Sequence, residues 1–235
     1  MSLSSTIIAA LRFNNGVVIG ADSQTSDLVN GVRWESGKLN RIGETSLVVG
    51  FTGQTGPIEN MRVALAHEAE SLAEFERHAH LVRHIHQTLS PIFRELYQQY
   101  PDAKWDTIWK VLVGGLAAYW AEGNPRILEI EANGQCETHR SFRAIGSGAR
   151  SSYAAWRALG GEQLSQLQEG IALQVMLRIL EVCIETEVSG VSDPVIMWVV
   201  EEGRVRRVAD SQMDNLREVA QRDFLFSLNN HPIRN

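Results

Sequence analysis

The segment Thr6-Ile7-Ile8-Ala9-Ala10-Leu11-Arg12-Phe13-Asn14-Asn15-Gly16-Val17-Val18-Ile19-Gly20-Ala21-Asp22 decides the fold of this 235-residue chain. Thr6–Phe13 and Val17–Ala21 are apolar runs rich in β-formers, and Asn14-Asn15-Gly16 between them carries the Asn-Gly signal of a hairpin. Reading outward, Asp22 follows Thr6 by 16 residues and Lys38 follows Asp22 by 16. A hydroxyl, a carboxylate and an ammonium therefore stand at equal spacings in strand-like surroundings. Only five residues precede Thr6, so one short cleavage would make it N-terminal.

Ser46–Thr52 reads as a third strand ending in the turn Gly53-Gln54-Thr55-Gly56. From Pro57 to about Tyr100 the pattern is helical, with Met61 and Leu65, then Leu81, Ile85 and Leu89, at four-residue spacing. An interruption is expected near Ser90-Pro91. Trp109–Tyr119 and Arg126–Ile130 read as paired strands joined by Glu122-Gly123-Asn124-Pro125, and Phe142–Ile145 as a strand running into Gly146-Ser147-Gly148. Helices are expected over Ala149–Leu159 and Gly170–Val188, a last hairpin over Pro194–Val200 and Val205–Val208, and a terminal helix over Met213–Leu228. Strands, two helices, strands, two helices and strands in that order favour antiparallel sheets with helices layered outside, an α+β architecture. No repeat, low-complexity stretch or linker divides the chain, so residues 1–235 are expected to form one domain.

Composition narrows the partners. At 44% apolar and 21% charged, the chain is an ordinary soluble globular protein, and a net charge of −6 argues against nucleic acid or an acidic membrane. Cys136 and Cys183 are too few for a disulfide framework and lack metal-ligand spacing, which fits a reducing cytosol. Ile7–Leu11 is too short for a signal-peptide core, and nothing approaches the ~20 apolar residues of a membrane span, so a cytoplasmic location is expected. Of His78, His80, His84 and His86, only His80 and His84 share a helical face at ~100° per residue. With Glu76, Arg77 and Arg83 interleaved, the group reads as a solvated helix. Trp105, Trp109, Trp120, Trp156 and Trp198 read as core or subunit-contact residues.

Amide hydrolysis needs a nucleophile, a base and donors for the tetrahedral oxyanion. An N-terminal Thr6 would carry its own base, since a free α-amine titrates at ~7.7–8.0 and a nearby cation lowers that value. Lys38 can be that cation, and Asp22 can hold Lys38 in place and offset its burial. The Gly53 N–H, just after a strand, is a candidate oxyanion donor, and the glycines beside Ser147 allow a bend that aims its hydroxyl into a site. Each residue alone has a plain structural reading. Their joint arrangement is what points to chemistry.

Ser5-Thr6-Ile7-Ile8, Asn15-Gly16-Val17-Val18-Ile19-Gly20-Ala21-Asp22, Gly37-Lys38-Leu39, Gly50-Phe51-Thr52-Gly53-Gln54-Thr55 and Ala144-Ile145-Gly146-Ser147-Gly148 together resemble the proteasome β-type family. Within it the chain most resembles the bacterial HslV-type peptidase and its proteobacterial proteasome-like relatives. The resemblance implies an N-terminal nucleophile hydrolase with a four-layer αββα fold of two antiparallel sheets flanked by helices. It implies assembly into a homo-oligomeric ring, stacked as a double ring around a chamber. Carried over, Thr6 is the nucleophile, Asp22 and Lys38 its supporting pair, Gly53 the oxyanion donor, Ser147 the proton-transfer partner, and Ser189 the later supporting serine. Gly50 falls where the family shapes its pocket floor, which suggests a roomy pocket. Met1–Ser5 become a short propeptide and residues 205–235 a C-terminal extension.

The chain departs from the family pattern in places. Ser5 stands where precursors commonly carry glycine, and a register longer by one hairpin residue would make Ser5 the nucleophile. Thr186 replaces a carboxylate, with Glu185 and Glu187 beside it, and the segment from Pro57 to Tyr100 and the tail after Val205 are longer than in HslV-type enzymes. The expected function is a threonine endopeptidase of a self-compartmentalising ring, acting on peptides or unfolded polypeptides. It requires no metal or organic cofactor, and an ATP-dependent unfoldase is the implied partner. The rival expectations are a catalytically silent ring scaffold and a small-amide hydrolase of the same nucleophile class.

Overall fold

The computed structural model describes residues 6–27, 32–35, 37–53, 55–70, 78–99, 113–131, 134–164, 167–186 and 191–219. The opening segment forms strands β1 (Ile8–Phe13) and β2 (Gly16–Asp22), paired antiparallel with Phe13 opposite Gly16. The turn is therefore Asn14-Asn15, and Gly16 already belongs to the ladder. Close packing explains this glycine: a Cβ here would lie 2.4 Å from the Val200 carbonyl oxygen and 2.6 Å from the Phe13 ring.

Strands β3 (Gln24–Asp27) and β4 (Val32–Glu35) make a separate two-stranded ribbon, followed by β5 (Leu39–Arg41) and β6 (Val48–Thr52). Helices α1 (Thr55–His67) and α2 (His78–Gln99) precede β7 (Gly114–Ala121), β8 (Asn124–Ile130), β9 (Cys136–His139) and β10 (Phe142–Ile145). Then come α3 (Ala149–Ala158), α4 (Glu169–Glu185), β11 (Val195–Glu201), β12 (Arg204–Arg207) and a helix α5 over residues 210–219. One antiparallel sheet has the order β10-β1-β2-β11-β12 and the other β5-β6-β7-β8-β9.

Side-chain alternation along β1 assembles the layers, because successive residues point to opposite faces. Ile7, Ala9, Leu11 and Phe13 pack with Trp156 of α3 and Leu173, Met176, Leu177 and Leu180 of α4. Ile8 and Ala10 meet Val48, Leu116, Ala118 and Ile127 of the second sheet. The outer face of that sheet, with Val49, Phe51, Ala117, Tyr119 and Leu128, packs against α1 and α2 through Met61, Leu65, Leu81, Ile85, Leu89 and Phe93. The result is a four-layer αββα sandwich with three apolar interfaces. Each large aliphatic side chain buried there contributes about 1.5–3 kcal/mol.

A polar clip also joins the two sheets. Glu129 of β8, buried between them, accepts from Arg143 Nη2 of β10 at 2.6 Å and lies 2.9 Å from His139 Nε2 of β9.

Several expectations changed on contact with the structure. Helix α2 runs through Ser90-Pro91 without a break, because its apolar stripe, spaced four residues apart from Leu81 to Phe93, stays buried across the proline. Sheet packing outweighs the one backbone hydrogen bond Pro91 cannot make. Of the α2 histidines, His78 and His84 are half-buried docking groups, while His80 and His86 stay exposed as a solvated face requires. His78 Nδ1 lies 2.5 Å from the Tyr119 hydroxyl, His84 Nε2 is 3.1 Å from Glu68, and His86 Nδ1 is 2.6 Å from the Gly134 carbonyl oxygen. Burial lowers the His78 pKa, helped by the Arg126 charge, which favours a neutral ring beside the Tyr119 hydroxyl. Strands β3, β4, β5 and β9 carry no strand signal strong enough to read from the sequence, because they are short or polar. Trp105, Trp109 and the chain beyond residue 219 lie outside the described residues, while Trp156 is a core residue stacked on Phe142.

Two substitutions test this packing by urea unfolding. Gly16→Ala is expected to lower stability by about 1–3 kcal/mol through the forced clash with Val200 and Phe13. Pro91→Ala, at an exposed position inside α2, is expected to raise stability by about 1–3 kcal/mol.

Candidate active site

Thr6 lies two residues before β1, and the β1–β10 pairing sets its surroundings. Ile8 pairs with Ile145, so the chain leaving β10 at Gly146-Ser147-Gly148 passes beside Thr6. The Thr6 backbone nitrogen donates to Ser147 Oγ at 3.1 Å. The Thr6 carbonyl oxygen accepts from the Gly148 N–H at 3.3 Å and from the Ser147 hydroxyl at 3.4 Å. Thr6 itself is 1% exposed. A Cβ on Gly146 would sit 2.1 Å from the Thr6 carbonyl oxygen, and Gly146 has φ +94°, so only glycine fits there.

On the other side of Thr6–Ile7 stands the charge pair. Asp22 ends β2, and its Oδ1 accepts from the Ile7 N–H at 2.9 Å while its Oδ2 accepts from Lys38 Nζ at 2.7 Å. The Ser192 backbone N–H also donates to this carboxylate. The Lys38 side chain is 6% exposed and that of Asp22 0%. Burial pushes the Asp22 carboxyl up and the Lys38 ammonium down, each opposed by the other's charge and by their shared hydrogen bond. Three donors on one buried carboxylate favour its ionised form, so we describe the pair as charged. One carboxylate thus bridges an ammonium to the backbone immediately after Thr6.

The structure brings together Thr6, Asp22, Lys38 and Ser147. Gly53 follows β6 directly and has φ +128°, a conformation that favours glycine. Thr52, the residue before it, has its Oγ1 3.5 Å from where a Gly146 Cβ would be, which joins the end of β6 to the Thr6 loop. Ser189 and Ser5 lie outside the described residues. Gly50 opens no pocket: its missing side chain lets Leu39 and Ile8 approach, and a Cβ would meet them at 2.7 and 2.9 Å.

Sequence reading gave no role to the Gly148 N–H or to Cys183, whose Sγ donates to the Gly148 carbonyl oxygen at 3.5 Å. The glycines flanking Ser147 were the only signal for the first, and Cys183 carried none. A cavity of about 850 Å³ lies between α4, the Asp193–Val195 segment and α5. Thr6, Lys38 and Ser147 do not line it, so its volume says nothing about the chemistry at Thr6.

A double-mutant cycle measures what the pair does for folding. Lys38→Met and Asp22→Leu are each expected to cost about 3–5 kcal/mol by urea unfolding, since each strands a buried charge. The double substitution is expected to cost less than the sum of the two, which a purely additive result would contradict.

With the geometry in place, comparison with known proteins identifies the family. The model of the proteasome subunit family matches residues 1–199. The ATP-dependent protease subunit HslV of Rickettsia typhi is 28% identical over 185 residues, covering 78% of this chain and 91% of the relative. The HslV subunit of Rickettsia peacockii matches to the same extent. A solved structure titled as an Anbu (Gly-1) mutant from Hyphomicrobium sp. strain MC1 superposes with a TM-score of 0.72 at 16% identity, covering 98% of this chain and 99% of that one. That likeness bears on the fold alone. No helix among the described residues is long and apolar enough to cross a membrane. With a family match over most of its length and an αββα sandwich to go with it, this chain belongs to the proteasome subunit family.

Proposed function

We propose that this chain is a threonine-type endopeptidase that acts once Met1–Ser5 are removed and Thr6 becomes N-terminal. The observation that carries the reading is the Asp22 carboxylate, which bridges buried Lys38 to the Ile7 N–H while Ser147 Oγ contacts the Thr6 nitrogen from the other side. Such a setting costs desolvation and is suited to an amine that must stay neutral.

In the proposed reaction, Thr6 Oγ attacks the substrate carbonyl and its proton passes to the Thr6 α-amine, with Ser147 as relay. The C=O π pair moves onto oxygen, and the Gly53 N–H stabilises the oxyanion. Collapse breaks the C–N bond, the departing amine takes the proton, and an acyl ester remains on Thr6. Water then adds with the α-amine as base, the ester C–O bond breaks, and the acid product leaves with Thr6 restored. Lys38 lowers the amine pKa by like-charge repulsion, and Ser189 is the proposed later supporting residue. Neither step calls for a metal or organic cofactor.

By extension from the HslV relatives, residues 1–235 act as one unit of a homo-oligomeric, stacked ring in the cytoplasm. The substrates are peptides or unfolded polypeptides, fed by an ATP-dependent unfoldase.

Intact-mass analysis with N-terminal sequencing, followed by a fluorogenic peptide panel, tests the reading. The expected outcome is a chain beginning at Thr6, with turnover reduced at least a thousandfold in Thr6→Ala, on the order of losses seen for other catalytic nucleophiles. A start at Ser5 would move the nucleophile by one residue. A chain retaining Met1 or Ser2 without turnover would favour the silent scaffold, and turnover of small acyl-amides alone the amidohydrolase. For the active enzyme, kcat/KM is expected to rise with pH as the amine loses its proton, in a limb below ~8. It is expected to fall again as Lys38 deprotonates, below the ordinary lysine range because burial destabilises its charge. A rate that is flat across both limbs would exclude this assignment of base and cation.

A further inference from the structure

We propose that Cys183 is a positioning residue of this site: its thiol holds the Gly148 carbonyl, on the same residue whose N–H fixes the Thr6 carbonyl, and so sets how a freed Thr6 presents its amine and hydroxyl. The proposal rests on the peptidase reading above and adds to it a residue on α4, away from the sequence segments that carry the other groups.

Cys183 closes the buried face of α4 formed by Ala172, Leu173, Met176, Leu177, Ile179 and Leu180. It is 0% exposed. Among these seven side chains it is the one able to donate a hydrogen bond. The acceptor is the Gly148 carbonyl oxygen at 3.5 Å, which also receives the first α3 bond from the Ser152 N–H at 3.0 Å. A carbonyl has two lone pairs, so both donors can be served. Gly148 caps α3 with no side-chain hydrogen bond of its own, and a Cβ there would press to 2.9 Å from Ile7 Cβ. Glycine is thus required for space, and restraint of this glycine has to come from its neighbours. Cys183 supplies it from α4.

The thiol also feels Asp22, which together with burial raises its pKa to about 11. It therefore stays protonated and donating across the neutral range. Residue choice fits this place between a carbonyl and a carboxylate. Sulfur is apolar enough to sit in the α4 interface, and S–H is too weak a donor to draw Asp22 away from Lys38 and the Ile7 N–H.

Cys183→Val, which removes the donor, and Cys183→Ser, which keeps it, separate positioning from packing; Cys183→Ala serves if the valine does not fit. The readouts are kcat and KM on one fluorogenic peptide, thermal unfolding, and amide hydrogen exchange at Gly148. The donor-less variant is expected to lose kcat about fivefold, the effect of one hydrogen bond, with KM within about twofold and faster exchange at Gly148. Serine is expected to restore most of the rate. Wild-type kcat and wild-type Gly148 exchange in the donor-less variant would overturn the proposal, as would equal losses in valine, alanine and serine variants that track thermal stability. If the wild type hydrolyses nothing, the peptidase reading fails, and exchange at Gly148 alone then decides whether Cys183 restrains this residue.

Discussion

Strand β1 is covered on both faces, and the rest of the molecule follows from that constraint. A strand with helices on one side and a second sheet on the other can expose little of its length, and Ile7–Ala10 are all 0% exposed, with only Arg12 near its end partly open. Its backbone groups must then be paired within the sheet, since an unmade buried hydrogen bond costs about 1–3 kcal/mol. The ladders to β2 and β10 do this. The same two ladders deliver the Asp22 end of β2 and the Gly146-Ser147-Gly148 exit of β10 to the start of β1. The candidate site therefore forms where the central ladder begins, held by hydrogen bonds the fold needs for its own stability.

Within that frame the Asp22–Lys38 pair is the expensive element. Burying each ion costs several kcal/mol even after relaxation, and a good pair roughly recovers that cost without adding much beyond it. An apolar pair would serve the sandwich about as well, as the three cores around it do with aliphatic side chains. Stability alone therefore does not account for a charged pair at this point. The Glu129–Arg143–His139 clip is different. It lies nearer the solvent at the outer strands and ties β10 to β8 and β9, steadying the strand that feeds Ser147 into place.

Where local sequence signals and tertiary packing disagreed, packing won. Pro91 and the α2 histidines illustrate this from opposite directions. The proline was a reason to end a helix, yet a stripe of apolar residues anchored on the sheet carries the helix through it. The histidines read as solvated because their polar neighbours suggested a wet face, and His80 and His86 are exposed, yet Tyr119 of the second sheet meets His78 and Glu68, just past α1, meets His84. Near the candidate site the same limit applied to Gly50, where absence of a side chain signals close contact of strands rather than open space.

By itself the sequence determined the β1–β2 hairpin, the main strands and helices, the α+β class and four of the residues that meet at Thr6. These follow from side-chain periodicity, turn residues and fixed spacings, all of which act over short stretches or repeat a family pattern. Only the tertiary structure decided that Asp22 would reach the Ile7 N–H and Lys38 at once, that Gly148 would fix the Thr6 carbonyl, and that Cys183 would stand behind Gly148. Those contacts join residues up to about 140 positions apart, and no propensity or motif encodes which face of a distant helix arrives there. The arrangement of layers does, because it fixes which buried side chains share a space.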